Sequence, residues 1–288
     1  MNDCFLNNVI LKTKKELRHK GISEASLDAR ILVEWVTGTD ASDRISRPNM
    51  RISPQQMTQL EHAIQRRIAG EPVHRIIGTR EFYGISLSLS RDTLEPRPDT
   101  ETLVDIVLPF LRKQVEQSKK TLLLDMGTGS GAIAIAILKQ IPQSSAVAVD
   151  ISEDALKTAT KNAQNAKVIH RFTPLLSDWF DSVTGRFDLI ISNPPYIPEK
   201  DIEKLSKEVR CYDPLRALIG GKDGLDFYRK LVHEATNYLK ENGHIAVEIG
   251  HSQDKEVCNL FEGNGFQCLE VRRDLNNIPR ALLFAHNR

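Results

Sequence analysis

The 288-residue chain has only four cysteines, Cys4, Cys211, Cys258 and Cys268, with no Cys-x-x-Cys pair and no metal-ligand spacing among them. That argues against a disulfide-framed secreted scaffold or a zinc module and fits a reduced, cytoplasmic protein. Charge of one sign is also missing, since 39 Lys and Arg stand against 38 Asp and Glu. Without a global basic field, coating of nucleic acid or of an anionic membrane is not expected. Long apolar runs are absent. The longest, Ala132–Leu138, is far short of the roughly 20 residues that a spanning helix needs. Met1–Lys15 lacks the apolar core of a secretion signal, because Val9-Ile10-Leu11 is its only consecutive strongly apolar run. What is present, 40% apolar and 27% charged residues, suits a globular core and excludes collagen-like or disordered composition.

The first seventy or so residues read as helices only. Ser23 is placed to cap a segment carrying Leu27, Ile31, Trp35 and Val36 on one apolar face and ending at Gly38. Trp35 is expected in the core. Ser53-Pro54-Gln55-Gln56 is a capping box with proline at the first helical position, followed by Met57, Leu60, Ile64 and Ile68 at helical spacing. Such helices need one another, so residues 1–72 are expected to form a small bundle. Lys12, Lys14, Lys15 and Arg18 read as a solvated face, with contact to a protein or RNA partner as the alternative. Residues 73–98 are expected to be a β-hairpin and linker. Ile85, Leu87 and Leu89 alternate with serines after a turn at Gly84, and Pro96 and Pro98 keep the chain extended.

From residue 99 a helix to about Lys113 is followed by alternating strand and helix signals. Apolar runs at 122–125, 146–150, 187–192, 244–249 and 281–285, and a weaker one at 168–173, read as strands. Helical stretches are expected at 132–139, 153–164, 225–240 and 255–262. This alternation predicts an α/β domain with a parallel sheet covered on both faces.

Gly127-Thr128-Gly129-Ser130-Gly131 follows the first of these strands and opens a helix. Glycines suit a sharp turn at which the backbone approaches a ligand closely. Asp150 ends the next strand, where a carboxylate can accept hydrogen bonds from ribose hydroxyls. Together they suggest a nucleoside cofactor; a dinucleotide stays open on the loop alone, as does a bare strand–helix turn.

The run Ser192-Asn193-Pro194-Pro195-Tyr196 ends another apolar strand. The Asn193 side-chain carbonyl and the Pro194 backbone carbonyl could accept both hydrogens of a planar –NH₂ group, with Tyr196 closing one face of its plane. A structural Asn in a cis-proline turn is the bland alternative. Beside a nucleoside site, such a clamp points to methylation of an amide or exocyclic amine, and such chemistry needs no metal and no strong base.

The chain resembles the HemK/PrmC family of release-factor glutamine methyltransferases over nearly its whole length. The match is carried by Gly70-Glu71-Pro72, Arg80-Glu81-Phe82-Tyr83-Gly84, Pro96-Arg97-Pro98-Asp99-Thr100-Glu101, Asp125–Ala132, Asp178-Trp179-Phe180, Ser192–Tyr196 and Val247-Glu248-Ile249-Gly250. The resemblance implies a class I S-adenosylmethionine-dependent fold, a Rossmann-like seven-stranded sheet whose last strand is antiparallel, spanning residues 99–288. It implies that Gly127, Thr128, Gly129, Ser130 and Gly131 pass the methionine end of S-adenosylmethionine, and that Asp150 holds its ribose. Asp178 and Trp179 would lie along the adenine. Asn193, shared with the cofactor site, would bind the glutamine of the Gly-Gly-Gln loop of class 1 release factors together with Pro194, Pro195 and Tyr196. A cytoplasmic monomer with no stable nucleic-acid or membrane partner is expected, its helical bundle serving to dock the substrate. Glu95 departs from the apolar residue that many relatives carry before Pro96. A ribosomal-protein glutamine methyltransferase and an adenine-N6 nucleic-acid methyltransferase share Asn-Pro-Pro-Tyr and are the rival readings. His74, His233 and His251 are isolated and read as surface or satisfied residues.

Overall fold

The computed structural model describes residues 4–118 and 120–286, and the chain divides into two compact units, residues 1–78 and 79–288. In the first, helices α1 (Leu6–His19), α2 (Ala25–Thr37), α3 (Asp43–Ser46), α4 (Pro54–Ile68) and α5 (Val73–Ile77) pack around Leu6, Leu17, Leu32, Val33, Leu60 and Ile64. The Ser53 capping box forms as expected, with Gln56 N–H on Ser53 Oγ and Ser53 N–H on Gln56 Oε1.

Three expectations fail here. Ser23 does not cap α2, which starts after Glu24. The face of α2 that turns inward is Ala25, Asp28, Ala29, Leu32, Val33 and Val36, leaving Leu27 and Trp35 each more than a third exposed. Small residues let α2 approach its neighbours closely, and the buried Asp28 is paired by Arg67 Nε at 2.6 Å. The domain boundary also moves from 72/73 to 78/79. Residues 73–77 form α5, and Val73 and Ile76 bury themselves in the bundle core.

The second unit begins with the hairpin β1 (Thr79–Phe82) and β2 (Ile85–Ser88). Its turn residues Tyr83 and Gly84 both have positive φ, 53° and 71°, as the tight hairpin turns that match strand twist require. Phe82 and Leu87 are buried in the same core as helices of this unit, so the hairpin is part of it. Glu95 finds a partner in Arg80, 3.6 Å away, so the charge in the linker is matched from the hairpin. A 3₁₀ turn at Pro98–Thr100 leads into α6 (Glu101–Ser118), which runs through Pro109.

Then follow β3 (Thr121–Met126), α7 (Ala132–Gln140), β4 (Ser144–Asp150), α8 (Glu153–Asn165), β5 (Phe172–Leu176), β6 (Phe187–Ser192), α9 (Lys207–Tyr212), α10 (Asp226–Tyr238), β7 (Leu239–Glu248), α11 (Asp254–Glu262), β8 (Phe266–Arg273) and β9 (Pro279–His286). The strands form one seven-stranded sheet in the order β5-β4-β3-β6-β7-β9-β8, and only β9 runs against the rest. Helices α6, α7 and α8 cover one face and α10 and α11 the other. Leu123 and Leu124 of β3 accordingly enter different cores. The weak strand signal at 168–173 is displaced to β5, and β8 was not expected at all.

Candidate active site

The sheet order reverses direction between β3 and β6, and in open α/β sheets ligands sit at the strand carboxyl ends beside that point. A cavity of about 350 Å³ lies there, within the usual range for small-molecule sites. Gly127, Thr128, Gly129, Ser130, Asp150, Asp178, Trp179, Asn193 and Pro195 all line it. Residues up to 68 positions apart in the chain are thus brought to one pocket by the ends of β3, β4, β5 and β6.

The glycine loop is fixed from both sides. Thr128 donates its hydroxyl to the buried Asp125 at 2.7 Å and its N–H to Val149 O at 2.8 Å. Gly129 N–H donates to Asp150 Oδ2 at 2.8 Å, and Ser152 N–H to Asp150 Oδ1 at 2.9 Å. Each carboxylate oxygen keeps a further lone pair, so Asp150 can still accept from a ligand diol. Burial raises its pKa, and those N–H donors oppose the rise. Gly131 is different. It is not in the cavity wall, and a Cβ there would stand 2.8 Å from Ile135 Cδ1 and 3.2 Å from Ala159 Cβ. Its glycine serves the close approach of α7 to α8 instead.

At the end of β6, Ser192 Oγ donates to Met126 O at 2.6 Å, tying this strand end to that of β3. Asn193 Nδ2 donates to Thr100 Oγ1 at 3.2 Å. Pro194 and Tyr196 are outside the main cavity wall; with Asn193, Leu94 and Arg97 they line a small adjoining hollow. The Tyr196 hydroxyl lies 3.4 Å from Glu248 Oε1, and burial raises the pKa of this phenol. Gln253 Nε2 donates to Tyr196 O at 3.0 Å while its Oε1 accepts from Gly250 N–H at 2.8 Å. The Asn193–Tyr196 turn contains no cis peptide.

Sequence reasoning assigned no role to several cavity residues, among them Asp92, Leu94, Arg216 and Ile219. Asp92 accepts from Ser152 Oγ at 2.7 Å and pairs with Arg216, contacts that hold its carboxyl below the usual range. Neither residue stands in a periodic segment, so no sequence signal marks them. Pro96 and Thr100 belong to a motif already noted, and their place in the wall explains it. Among the described residues no cluster of three or more His, Cys, Asp or Glu could hold a metal, and no helix is long and apolar enough to cross a membrane.

Residues 8–78 match the PrmC N-terminal domain family and residues 100–209 the methyltransferase small domain family. The chain is 43% identical over 282 residues to the release factor glutamine methyltransferase of Agrobacterium fabrum, covering 98% of each. To that of Bradyrhizobium diazoefficiens it is 43% identical over 270 residues, 92% of this chain and 90% of the other. Among solved structures, the catalytic domain of hMettl16 aligns with a TM-score of 0.56 at 11% identity, over 81% of this chain and 82% of that one, a likeness of fold alone. The fold is that of a class I methyltransferase.

Proposed function

The chain belongs to the release factor glutamine methyltransferase family, and from that premise we propose that it methylates the side-chain amide nitrogen of the glutamine in the Gly-Gly-Gln loop of class 1 release factors. The observation that carries this reading is that Asn193 shares one cavity wall with the glycine loop and Asp150. On this reading a nucleoside site and an amide acceptor would meet at one point.

S-adenosylmethionine suits this cavity, and when bound it supplies an electrophilic methyl group. Asp150 would accept from its ribose diol, Trp179 and Asp178 would flank its adenine, and Gly127, Thr128, Gly129 and Ser130 would border its methionine end. Gly131, between the lining residues Ser130 and Ala132, would complete this loop. The target glutamine would enter where the main cavity meets the hollow of Pro194 and Tyr196, since Asn193 borders both.

Asn193 Oδ1 and Pro194 O would accept the two amide hydrogens. An amide nitrogen donates its lone pair poorly, because that pair is delocalised into the carbonyl. Holding both hydrogens in one plane aims the lone pair along the normal to it, with Tyr196 against the opposite face. Positioning of this kind can supply roughly 7–11 kcal/mol of a barrier, and two fixed acceptors add an electrostatic contribution as positive charge develops on nitrogen. The methylated amide then loses a proton to solvent.

The helical unit, with no cofactor motif, would dock the release factor. A cytoplasmic monomer without stable nucleic-acid binding completes the reading. Asn193→Ala tests it: turnover should fall at least about a hundredfold, while S-adenosylmethionine affinity changes much less. Near-normal turnover in the folded variant would remove the clamp.

A further inference from the structure

We infer that Arg97 determines specificity at the substrate hollow, its guanidinium donating to the backbone carbonyls of the glycines that precede the target glutamine. This rests on the reading of Asn193 and Pro194 as the clamp for that glutamine. The cofactor cavity accounts for only part of the motif around Pro96-Arg97-Pro98. Pro96 and Thr100 line that cavity, whereas Arg97 lines the adjoining hollow with Leu94, Asn193, Pro194 and Tyr196. Among the described residues of that hollow, Arg97 alone is charged.

Proline fixes where this arginine stands. Pro98 restricts the residue before it to extended backbone, and Arg97 has φ −91° and ψ 149°. Its carbonyl accepts from Thr100 N–H at 3.0 Å, which closes the 3₁₀ turn. Pro96 on its other side is buried, while the Arg97 side chain is exposed. The acids nearest to it in sequence are already engaged. Glu95 pairs with Arg80 at 3.6 Å, Asp99 with Arg280 at 3.3 Å, and Glu101 accepts from Tyr83 N–H at 2.8 Å. The field of Arg97 reaches the buried Glu248 and Tyr196, but among the described residues neither a hydrogen bond nor an ion pair holds its guanidinium. Five N–H donors on an anchored backbone are thus free for a ligand.

On the proposed function, what enters this hollow is a Gly-Gly-Gln loop. Two of its three residues have no side chain, so beyond the glutamine itself it offers only peptide groups. Asn193 Oδ1 and Pro194 O are acceptors, taken up by the hydrogens of the target amide. A planar guanidinium supplies the complementary donors, in a fork suited to neighbouring carbonyl oxygens. Glycine, lacking Cβ, lets the backbone approach it closely. The side-chain carbonyl of the glutamine is the wrong acceptor for Arg97, because a donor there would draw the nitrogen lone pair further into the amide and oppose transfer. The contact is made to backbone, away from the reacting nitrogen, and is as strong before transfer as during it. Such a contact raises affinity and not turnover.

The test uses Arg97→Met and Arg97→Lys in the full chain with labelled S-adenosylmethionine. One substrate is intact class 1 release factor; the other is a capped peptide containing Gly-Gly-Gln and no acidic residue, read at high enzyme concentration. Methionine keeps the apolar stem and removes the donors. Arg97→Met should lower kcat/KM about tenfold to a hundredfold on both substrates, the loss of one or two hydrogen bonds to a charged group, and chiefly through KM. Arg97→Lys keeps the charge without the fork and should recover only part of this. S-adenosylmethionine affinity by calorimetry should stay within about twofold in both variants, which also shows them folded. Should Arg97→Met fail to fold, Arg97→Gln takes its place. An unchanged KM for release factor in Arg97→Met or full recovery by lysine would overturn the inference. So would a loss on release factor with none on the neutral peptide, which would assign Arg97 to an acidic group elsewhere on the substrate. A natural chain that leaves the release-factor glutamine unmodified would instead overturn the reading on which the inference rests.

Discussion

Gly224 lies so close to Tyr196 that a Cβ at residue 224 would stand 2.3 Å from the Tyr196 carbonyl oxygen. Gly220 makes a similar approach, 2.6 Å from Pro195 O, and Gly250 one of 3.0 Å to the Tyr196 ring. The turn from Asn193 to Tyr196 is thus wedged between backbone segments and then tied by Gln253. A clamp that must hold an amide plane to within about 0.5 Å needs this kind of support.

Gly224→Ala should therefore lower turnover strongly. Its φ of +84° disfavours a side chain, and the space is already occupied by backbone. The control is Gly185→Ala, with a φ of +86° and nothing within 4 Å. That change should cost about 1–2 kcal/mol of stability through backbone strain alone and leave turnover of the folded protein near normal. Equal activity in the two variants would contradict a wedged turn.

Asp150→Ala removes the acceptor for Gly129 and Ser152 as well as the proposed ribose contact. S-adenosylmethionine affinity should fall at least about tenfold, the loss of one to two charge-assisted hydrogen bonds. Calorimetry that shows unchanged affinity would remove Asp150 from the cofactor site.

The buried acid at 248 also has a signature in stability. Its folded pKa is raised from 4.5 to about 7, so the folded state holds the proton more tightly than the unfolded state. Its contribution is fully present below about pH 4.5 and is lost as pH rises through about 7. Glu248→Gln cannot lose a proton. Relative to the natural chain it should gain on the order of 3 kcal/mol between those limits. Asp125, pushed up to about 6 by its burial, is present in both proteins and cancels in the comparison. Denaturant titrations at several pH values giving a constant gap would contradict this.

The sheet was open to sequence reading where strands are buried on both faces. Phe187–Ser192 is buried at every position and reads as an almost continuous apolar run. β8 sits at the sheet edge and pairs only with β9, so Gln267, Leu269, Val271 and Arg273 stay exposed. Its mixed composition gave no signal. On α2 two apolar stripes compete, and the choice between them depends on the neighbouring helices. The site residues at strand ends were legible because turn chemistry marks them. Arg216 and Gln253 reach the site only through tertiary packing, and nothing in their local spacing announces it.

A chain shortened to begin at Thr79 tests the docking role of the helical unit. Provided circular dichroism shows it folded, it should bind S-adenosylmethionine normally. Its kcat/KM on intact release factor should fall steeply, because specificity for a mobile loop must come from contacts remote from the reacting nitrogen. A short glutamine peptide should be a poor substrate for both forms. Equal methylation of intact release factor by both would rule the docking role out.

The most direct test of the account is peptide mass spectrometry of purified class 1 release factors incubated with this protein and labelled S-adenosylmethionine. One methyl group should be gained on the Gly-Gly-Gln glutamine, and none with Asn193→Ala. That glutamine left unmodified, with label appearing instead on ribosomal protein or on adenine in parallel incubations with ribosomes or nucleic acid, would contradict it.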